Sequence, residues 1–143
     1  MLKIEPGVLN EIHAHGESSY PEEGAGLLLG TVHGEEKVVS AVLKLENACE
    51  GAARHNRYLL TPQDYLCGEQ EAARKGLEVL GVFHSHPDHP NQPSDFDREW
   101  AMPWFSYVIT SVQAGKAIAS RSWRLAEDRS GFIEEGVQIL NNP

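Results

Sequence analysis

The stretch 79–97 constrains the fold of this chain more than any other part of the sequence. An apolar run ends in His84-Ser85-His86-Pro87, and Ser94-x-x-Asp97 follows after a short loop. Alternate side chains of a strand share one face, roughly 6–7 Å apart along the chain, so His84 and His86 at a strand's end can reach one ion. Because proline has no amide hydrogen for the next ladder bond, the strand is expected to stop at Pro87.

The Ser94-x-x-Asp97 spacing fits two roles. A serine followed three residues later by an acid is typical of a capping box at the start of a helix. The same spacing places Asp97 on the first helical turn, where its carboxylate can face the two histidines. Two imidazoles and one carboxylate leave a fourth tetrahedral position for water, as a catalytic zinc needs. The roles are compatible, because Ser94 can cap the helix while Asp97 binds a metal.

Composition excludes several classes of function. The chain has 143 residues, 41% hydrophobic and 23% charged, which is typical of one globular domain over 1–143. A net charge of −9 without clustered Lys and Arg argues against a nucleic-acid surface. No apolar run approaches the roughly 20 residues of a membrane span, and the N-terminus lacks the apolar core of a signal peptide. We therefore expect a cytoplasmic protein without membrane contact. Cys49 and Cys67 stand far apart, so we expect ordinary thiols.

Hydrophobic periodicity and turn signals predict the order of helices and strands. The predicted elements are a helix over 7–18 ending near Gly16, a hairpin of 24–32 and 38–45, a short strand at 58–60, a helix over 61–74, a strand over 77–83, a short helix over 94–102, a hairpin of 105–112 and 117–125, and a last strand over 132–140. Strands joined mostly by hairpins and interleaved with helices predict an α+β (mixed α/β) fold, with helices packed on one sheet.

A second His-x-His pair falls in the first predicted helix and serves as a control. Residues two apart on a helix are about 200° apart around its axis, so His13 and His15 cannot share an ion. We expect both of them on a solvated helix surface.

Three separated motifs resemble one known family. Glu23-x-x-Gly26 at the mouth of the first strand, His84-Ser-His86-Pro87 and Ser94-x-x-Asp97 together resemble the JAMM (MPN-plus) metalloprotease family. The segments 20–30 and 56–62 resemble its compact prokaryotic branch, and the resemblance spans about residues 8–125. It implies a curved mixed β-sheet flanked by helices. It also implies metal-dependent cleavage of peptide or isopeptide bonds beside the C-terminal glycines of ubiquitin-like proteins.

The resemblance implies roles for individual side chains. By matching position, His84, His86 and Asp97 would bind Zn²⁺, Glu23 would act as the general base towards water, and Ser94 would help hold the oxyanion. Two histidines and an aspartate would also accept other divalent ions.

Neighbouring side chains offer competing assignments. Glu22 is adjacent to Glu23 and faces the opposite way on an extended segment, so we expect it to be exposed. Asp88 and His89 could bind a metal by residue type. They fall outside the family's ligand positions, and we expect them on the loop or rim.

The substrate is inferred from the size of the chain and from the resemblance. The spacing of eight positions from His86 to Ser94 leaves no room for the large insertions of eukaryotic deubiquitinases. The compact prokaryotic members are linked to ubiquitin-like sulfur carriers, from which they trim a C-terminal extension to expose Gly-Gly. A sulfur-carrier precursor is therefore the expected partner, and the polar loop 46–57 is expected to hold its tail.

Two other functions remain open. One is an isopeptidase acting on conjugates of a ubiquitin-like protein, and the other is a non-catalytic interaction module of the same fold. The sequence does not indicate an oligomeric state.

Overall fold

The structure is a computed structural model of the chain that describes residues 1–45 and 60–140. The predicted loop 46–57 and all but the last residue of the predicted strand at 58–60 lie outside these residues, as does Cys49. In chain order the elements of the described part are β1 Leu2–Ile4, α1 Pro6–Ser19, β2 Ala25–His33, β3 Glu36–Leu45, α2 Pro62–Arg74, β4 Glu78–Pro87, α3 Asp95–Trp100, β5 Ser106–Gln113, β6 Lys116–Leu125, β7 Phe132–Glu135 and β8 Val137–Ile139.

The eight strands of the described part form one mixed sheet in the order β7-β6-β5-β4-β2-β3-β1-β8. β4 lies near its centre, antiparallel to β2 and parallel to β5. The two predicted hairpins are present as β2–β3 and β5–β6. The prediction of an α+β fold with a mixed sheet is confirmed. Because β4 is paired on both sides, the histidines that it carries stand on a rigid support.

A single residue joins the two edge strands of the sheet, so the sheet must curve until its edges meet. β7 pairs with β6 at one edge and β8 pairs with β1 at the other, and only Gly136 lies between them. At this junction between β7 and β8, Leu2 N–H donates to Gly136 O over 2.8 Å. The prediction of one last strand over 132–140 is wrong, because the chain changes partners at Gly136. β1 was not predicted from the sequence, where its only signal is the alternation of apolar Leu2 and Ile4, both of them buried in the structure.

Helices cover both faces of the sheet. α1 packs Val8 and Ile12 on a cluster that includes Leu28 and Phe83, whereas α2 packs Ala72 on a cluster on the other face. That second cluster contains Ala25, Leu27, Leu29, Leu60, Val82, Ala101, Tyr107 and Leu125. Alternation of side chains along β2 explains why neighbouring leucines belong to different clusters. In the described part, no helix has the length and apolar character needed to cross a bilayer.

His13 and His15 depart from the prediction of a solvated surface. His13 Nε2 lies 2.8 Å from Ser120 Oγ, and His15 Nε2 lies 3.2 Å from the carbonyl oxygen of Ala25. Both rings are half-buried because α1 packs closely on the sheet, and this burial lowers the pKa of each imidazole. The rings bind different elements, in agreement with the expectation that they do not share an ion.

Candidate metal and catalytic centre

The candidate centre forms at the end of β4. Residues 80–87 of this strand are buried, and the rings of His84 and His86 lie side by side with centroids 4.9 Å apart and planes inclined by 54°. The strand ends at Pro87, as expected from the missing amide hydrogen of proline, and so continues past the span 77–83 that periodicity predicts. β5 pairs with it up to the Pro87–Val112 position. The alternation of a strand thus brings both imidazoles to one face, as the sequence predicts.

Glu23 enters the centre from the segment before β2. Its Oε1 lies 3.3 Å from His84 Nδ1 and 3.9 Å from His86 Nε2. Two hydrogen bonds between Gly24 and Ser85 hold this segment against β4: Gly24 N–H donates to Ser85 Oγ over 2.8 Å, and Ser85 N–H donates to Gly24 O over 2.9 Å. Glu23 is buried and Glu22 is exposed, as predicted from their opposite directions on an extended segment.

Asp97 reaches the centre from α3 while it also caps that helix. Ser94 Oγ accepts from Asp97 N–H over 3.1 Å, and Asp97 Oδ2 accepts from Ser94 N–H over 2.7 Å. The same carboxylate places Oδ1 3.6 Å from His84 Nε2 and Oδ2 3.4 Å from His86 Nε2. Capping and approach to the histidines therefore coexist, as the sequence analysis allowed.

The electrostatics of the centre favour a carboxylate beside the imidazoles. Burial by itself raises the pKa of Asp97, but the charges of the histidines and hydrogen bonds from His86 and Ser94 outweigh it and hold the pKa at about 2. Burial lowers the pKa of His86, but Asp97, the Pro90 carbonyl and Glu23 outweigh it, and the net shift is upward.

The donor atoms fit a divalent cation. His86 Nδ1 lies 2.8 Å from the Pro90 carbonyl oxygen, which can only accept, so Nδ1 carries a hydrogen. In the neutral ring Nε2 is then a bare lone pair facing carboxylate oxygens at 3.4 and 3.9 Å, and only a proton or a cation between these atoms relieves the repulsion. Glu23, His84 and His86 also offer ligand atoms within 4.8 Å of one another. Imidazole nitrogens and carboxylate oxygens are ligands that zinc accepts.

A cavity of about 380 Å³ opens beside this cluster. It is lined by Glu23, His86, Pro87, His89, Pro90, Gln92, Pro93 and Ser94. The candidate base and the candidate oxyanion donor therefore border the same space. Prolines supply a large part of the wall, and their fixed φ angles limit its movement.

The remaining candidate residues lie outside the cluster. Asp88 and His89 are exposed on the loop after β4, where His89 lines the cavity, in line with the expectation of rim residues. Cys67 is an exposed free thiol. The contact of the Pro90 carbonyl with His86 was not predicted, because a backbone acceptor leaves no motif in the sequence.

Comparisons with known proteins identify the family of the chain. The family model for prokaryotic homologs of the JAB domain matches residues 5–126. A probable TtuB-protein conjugate cleaving protease from Thermus thermophilus is 31% identical over 117 residues, covering 80% of this chain and 74% of that protein. A desampylase from Pyrococcus furiosus is 29% identical over 98 residues, covering 68% of this chain and 66% of that protein.

Solved structures share the fold. A protein from Salinibacter ruber is 43% identical, with a TM-score of 0.77 over 97% of this chain and 92% of that one. A JAB1/MPN domain protein from Archaeoglobus fulgidus is 19% identical and has a TM-score of 0.62 over 99% of this chain and 98% of that one, which shows the fold alone. Since the family model covers most of its length, the chain belongs to the prokaryotic branch of the JAMM (MPN-plus) metalloprotease family.

Proposed function

We propose that this protein is a zinc-dependent peptidase that hydrolyses the bond after the C-terminal Gly-Gly of a ubiquitin-like protein. The observation that carries the proposal is the convergence of a buried glutamate with two histidines and an aspartate beside an open cavity. His84, His86 and Asp97 would hold the zinc. Both histidines turn Nε2 towards the Asp97 carboxylate, so one ion between these three side chains could contact all of them.

A bound zinc would supply the Lewis acid that activates water and polarises the scissile carbonyl. Glu23 would accept a proton from the attacking water as the new carbon–oxygen bond forms. It would then deliver that proton to the leaving amine as the carbon–nitrogen bond breaks. The burial of Glu23 supports this role, because a carboxylate removed from bulk water does not lose the proton to solvent between the two steps.

Ser94 would donate a hydrogen bond to the oxyanion. Its Oγ already accepts from Asp97 N–H over 3.1 Å, so the hydroxyl hydrogen points elsewhere and is available to a substrate. Ser94 borders the same cavity as Glu23, as a pair acting on one carbonyl requires. Loss of one such donor typically costs about 10²–10³ in turnover.

The relatives support a substrate in which the C-terminus of a ubiquitin-like protein is joined to another group, in one of two forms. Membership of the compact branch supports trimming of a sulfur-carrier precursor, in which the scissile bond is a linear peptide bond. The name of the Thermus relative describes cleavage of a protein conjugate, and it favours a second candidate function on a branched isopeptide bond. The chemistry required of Glu23 and Ser94 is the same for both.

Mass spectrometry of the cleaved substrate tests the proposal. A ubiquitin-like sulfur carrier with a C-terminal extension, and the same carrier linked to a lysine of a second protein, would each be incubated with zinc-loaded enzyme. Chelated enzyme and Glu23→Gln serve as controls. We expect a chelator-sensitive product ending at Gly-Gly, and the faster substrate identifies the bond type. If both substrates stay intact with zinc-loaded wild type, the proposed function is wrong.

A further inference from the structure

Asp88 joins three segments at the edge of the candidate centre. Its Oδ2 accepts from the Tyr20 hydroxyl over 2.5 Å, and its Oδ1 accepts from Ala114 N–H over 2.9 Å. Its own N–H donates to Val112 O over 2.7 Å. Asp88 has φ of +57°, in the left-handed region that few residues other than glycine adopt, although aspartate tolerates it better than most. We call the Tyr20–Asp88–Ala114 arrangement the clasp.

The clasp connects the two segments that supply the centre. Tyr20 lies three residues before Glu23, and Asp88 lies two residues after His86. The segments 20–23 and 86–88 are therefore in contact at both ends. The Tyr20–Asp88 hydrogen bond joins one end, and at the other Glu23 Oε1 lies 3.9 Å from His86 Nε2. Only two residues separate Tyr20 from Glu23, so a displacement of Tyr20 should also displace Glu23.

The other end of the clasp is fixed independently. Ala117 N–H, after the turn between β5 and β6, donates to Glu17 Oε2 on α1 over 2.8 Å. Gly115, in the same turn, lies against the Tyr20 ring, where an added Cβ would be 3.8 Å from Cδ1. α1 is held on the sheet by buried Val8 and Ile12. The turn and Tyr20 thus form a firm support for Asp88.

Each oxygen of the Asp88 carboxylate has a hydrogen-bond donor within the protein, which argues against a role as a metal ligand. The contacts are exposed or half-exposed, and single hydrogen bonds there add little to folding stability. In contrast, a displacement of about 1 Å in a catalytic group can cost about 10²-fold in rate. Loss of the clasp should therefore affect catalysis much more than folding.

We propose that Asp88 is a positioning residue that, through Tyr20, fixes the general base Glu23 relative to His86. This inference rests on the proposed function. Asp88 touches neither substrate nor metal and acts on the reaction only by holding the segment that carries Glu23.

The test compares Tyr20→Phe, Asp88→Ala and the double variant on the sulfur-carrier substrate. We expect kcat to fall about 10- to 100-fold with KM nearly unchanged. The double variant should be no worse than the poorer single one, because both remove the same link. Asp88→Asn can turn its amide oxygen towards Ala114 N–H and donate from its amide nitrogen to the Tyr20 hydroxyl oxygen, so it should restore most of the turnover. Asp128→Ala is the matched control, because exposed Asp128 also accepts from a backbone N–H, that of Ser130, over 3.0 Å.

Two measurements do not depend on turnover. Zinc affinity by chelator competition should stay within a few-fold of wild type, because the clasp holds Glu23 and not the proposed ligands. Amide hydrogen exchange should accelerate at Glu22, which donates to Ser19 O, and at Gly24, which donates to Ser85 Oγ, with the rest of the chain unchanged.

The outcomes separate the two proposals. If zinc-loaded wild type cleaves neither substrate, the proposed function fails, while the exchange at Glu22 and Gly24 still decides whether the clasp holds this segment. Unchanged exchange in the variants, unchanged kcat in an active enzyme, or a large loss of zinc affinity would each overturn the assignment of Asp88.

Discussion

The Nδ1 atom of His86 lies 2.8 Å from the carbonyl oxygen of Pro90, four residues further along the chain. This bond sets the orientation of the ring and the position of its hydrogen, so that Nε2 faces Asp97 Oδ2 at 3.4 Å. His84 is arranged in the same sense, with Nδ1 towards Glu23 and Nε2 towards Asp97. The protein thus presents two ring nitrogens and a carboxylate to one point.

Asp97→Ala should lose zinc, because it removes the carboxylate that both Nε2 atoms face. We expect zinc affinity to fall by more than the roughly 10- to 100-fold that outer-shell mutations cost. Chelator competition measures the change. The matched control is Asp64→Ala in α2, where Asp64 Oδ2 accepts from Thr61 N–H over 2.8 Å in a capping box like that of α3. Asp64→Ala should lose about 1 kcal/mol or less of stability and keep its zinc. Tight zinc binding by Asp97→Ala would leave Asp97 as a helix cap only.

Glu23→Gln should retain zinc and lose turnover. Glutamine preserves the size of the side chain but cannot accept and return a proton, and loss of a general base typically costs about 10²–10⁴ in rate. Metal content and turnover, measured on the same preparation, check the two parts of the prediction. Exposed Glu22→Gln is the control and should match wild type. If Glu23→Gln loses its zinc, Glu23 is a ligand or a structural residue.

Local spacing predicted three parts of this candidate centre, whereas the placement of Glu23 beside His84, 61 positions away, came from the family resemblance. The His84-x-His86 alternation, the direction of Glu23 against Glu22 and the Ser94–Asp97 box each depend on residues close in sequence, where strand and helix geometry decides which side chains meet. The same holds for the β2–β3 and β5–β6 hairpins.

What escaped prediction depends on contacts distant in sequence. β1 is three residues long and forms only because β3 and β8 lie beside it. The tail divides into two strands because the curved sheet brings both edges to Gly136. His13 meets Ser120 across 107 positions, a contact that helical periodicity cannot show. The sequence therefore predicted solvent exposure for the polar face of α1, whereas His13 and His15 on this face are half-buried in the structure.

Gly26→Ala should destabilise the protein, because β2 has no room for a side chain at this position. An added Cβ would lie 2.3 Å from Leu43 O and 2.4 Å from Phe83 Cε1. Overpacking typically costs about 1–3 kcal/mol, and a backbone oxygen cannot move aside as a side chain can. Denaturant unfolding measures the change in free energy. Gly131→Ala, where an added Cβ meets nothing within 4 Å, should stay within about 0.5 kcal/mol of wild type. Equal stability of the two variants would contradict this account of the glycine in Glu23-x-x-Gly26.

Lys37 lies in a polar cluster that bridges the curved sheet. From β3 it donates to Trp104 O and, over 3.0 Å, to Ser106 Oγ on β5. Ser106 and Ser122 in turn donate to Glu135 Oε1 on β7, over 2.8 and 2.9 Å. Burial lowers the pKa of the Lys37 ammonium from its ordinary 10.5 to about 8.

This shift predicts the sign of a pH effect on stability. Between pH 8 and 10.5 the unfolded chain binds more protons at Lys37 than the folded chain, so the contribution of this residue to stability rises with pH across that window. The slope is at most about 1.4 kcal/mol per pH unit. The free energy of unfolding of wild type minus that of Lys37→Met should therefore increase from pH 8 to 10.5. A difference that stays flat across this window would show that the Lys37 ammonium is not destabilised by burial.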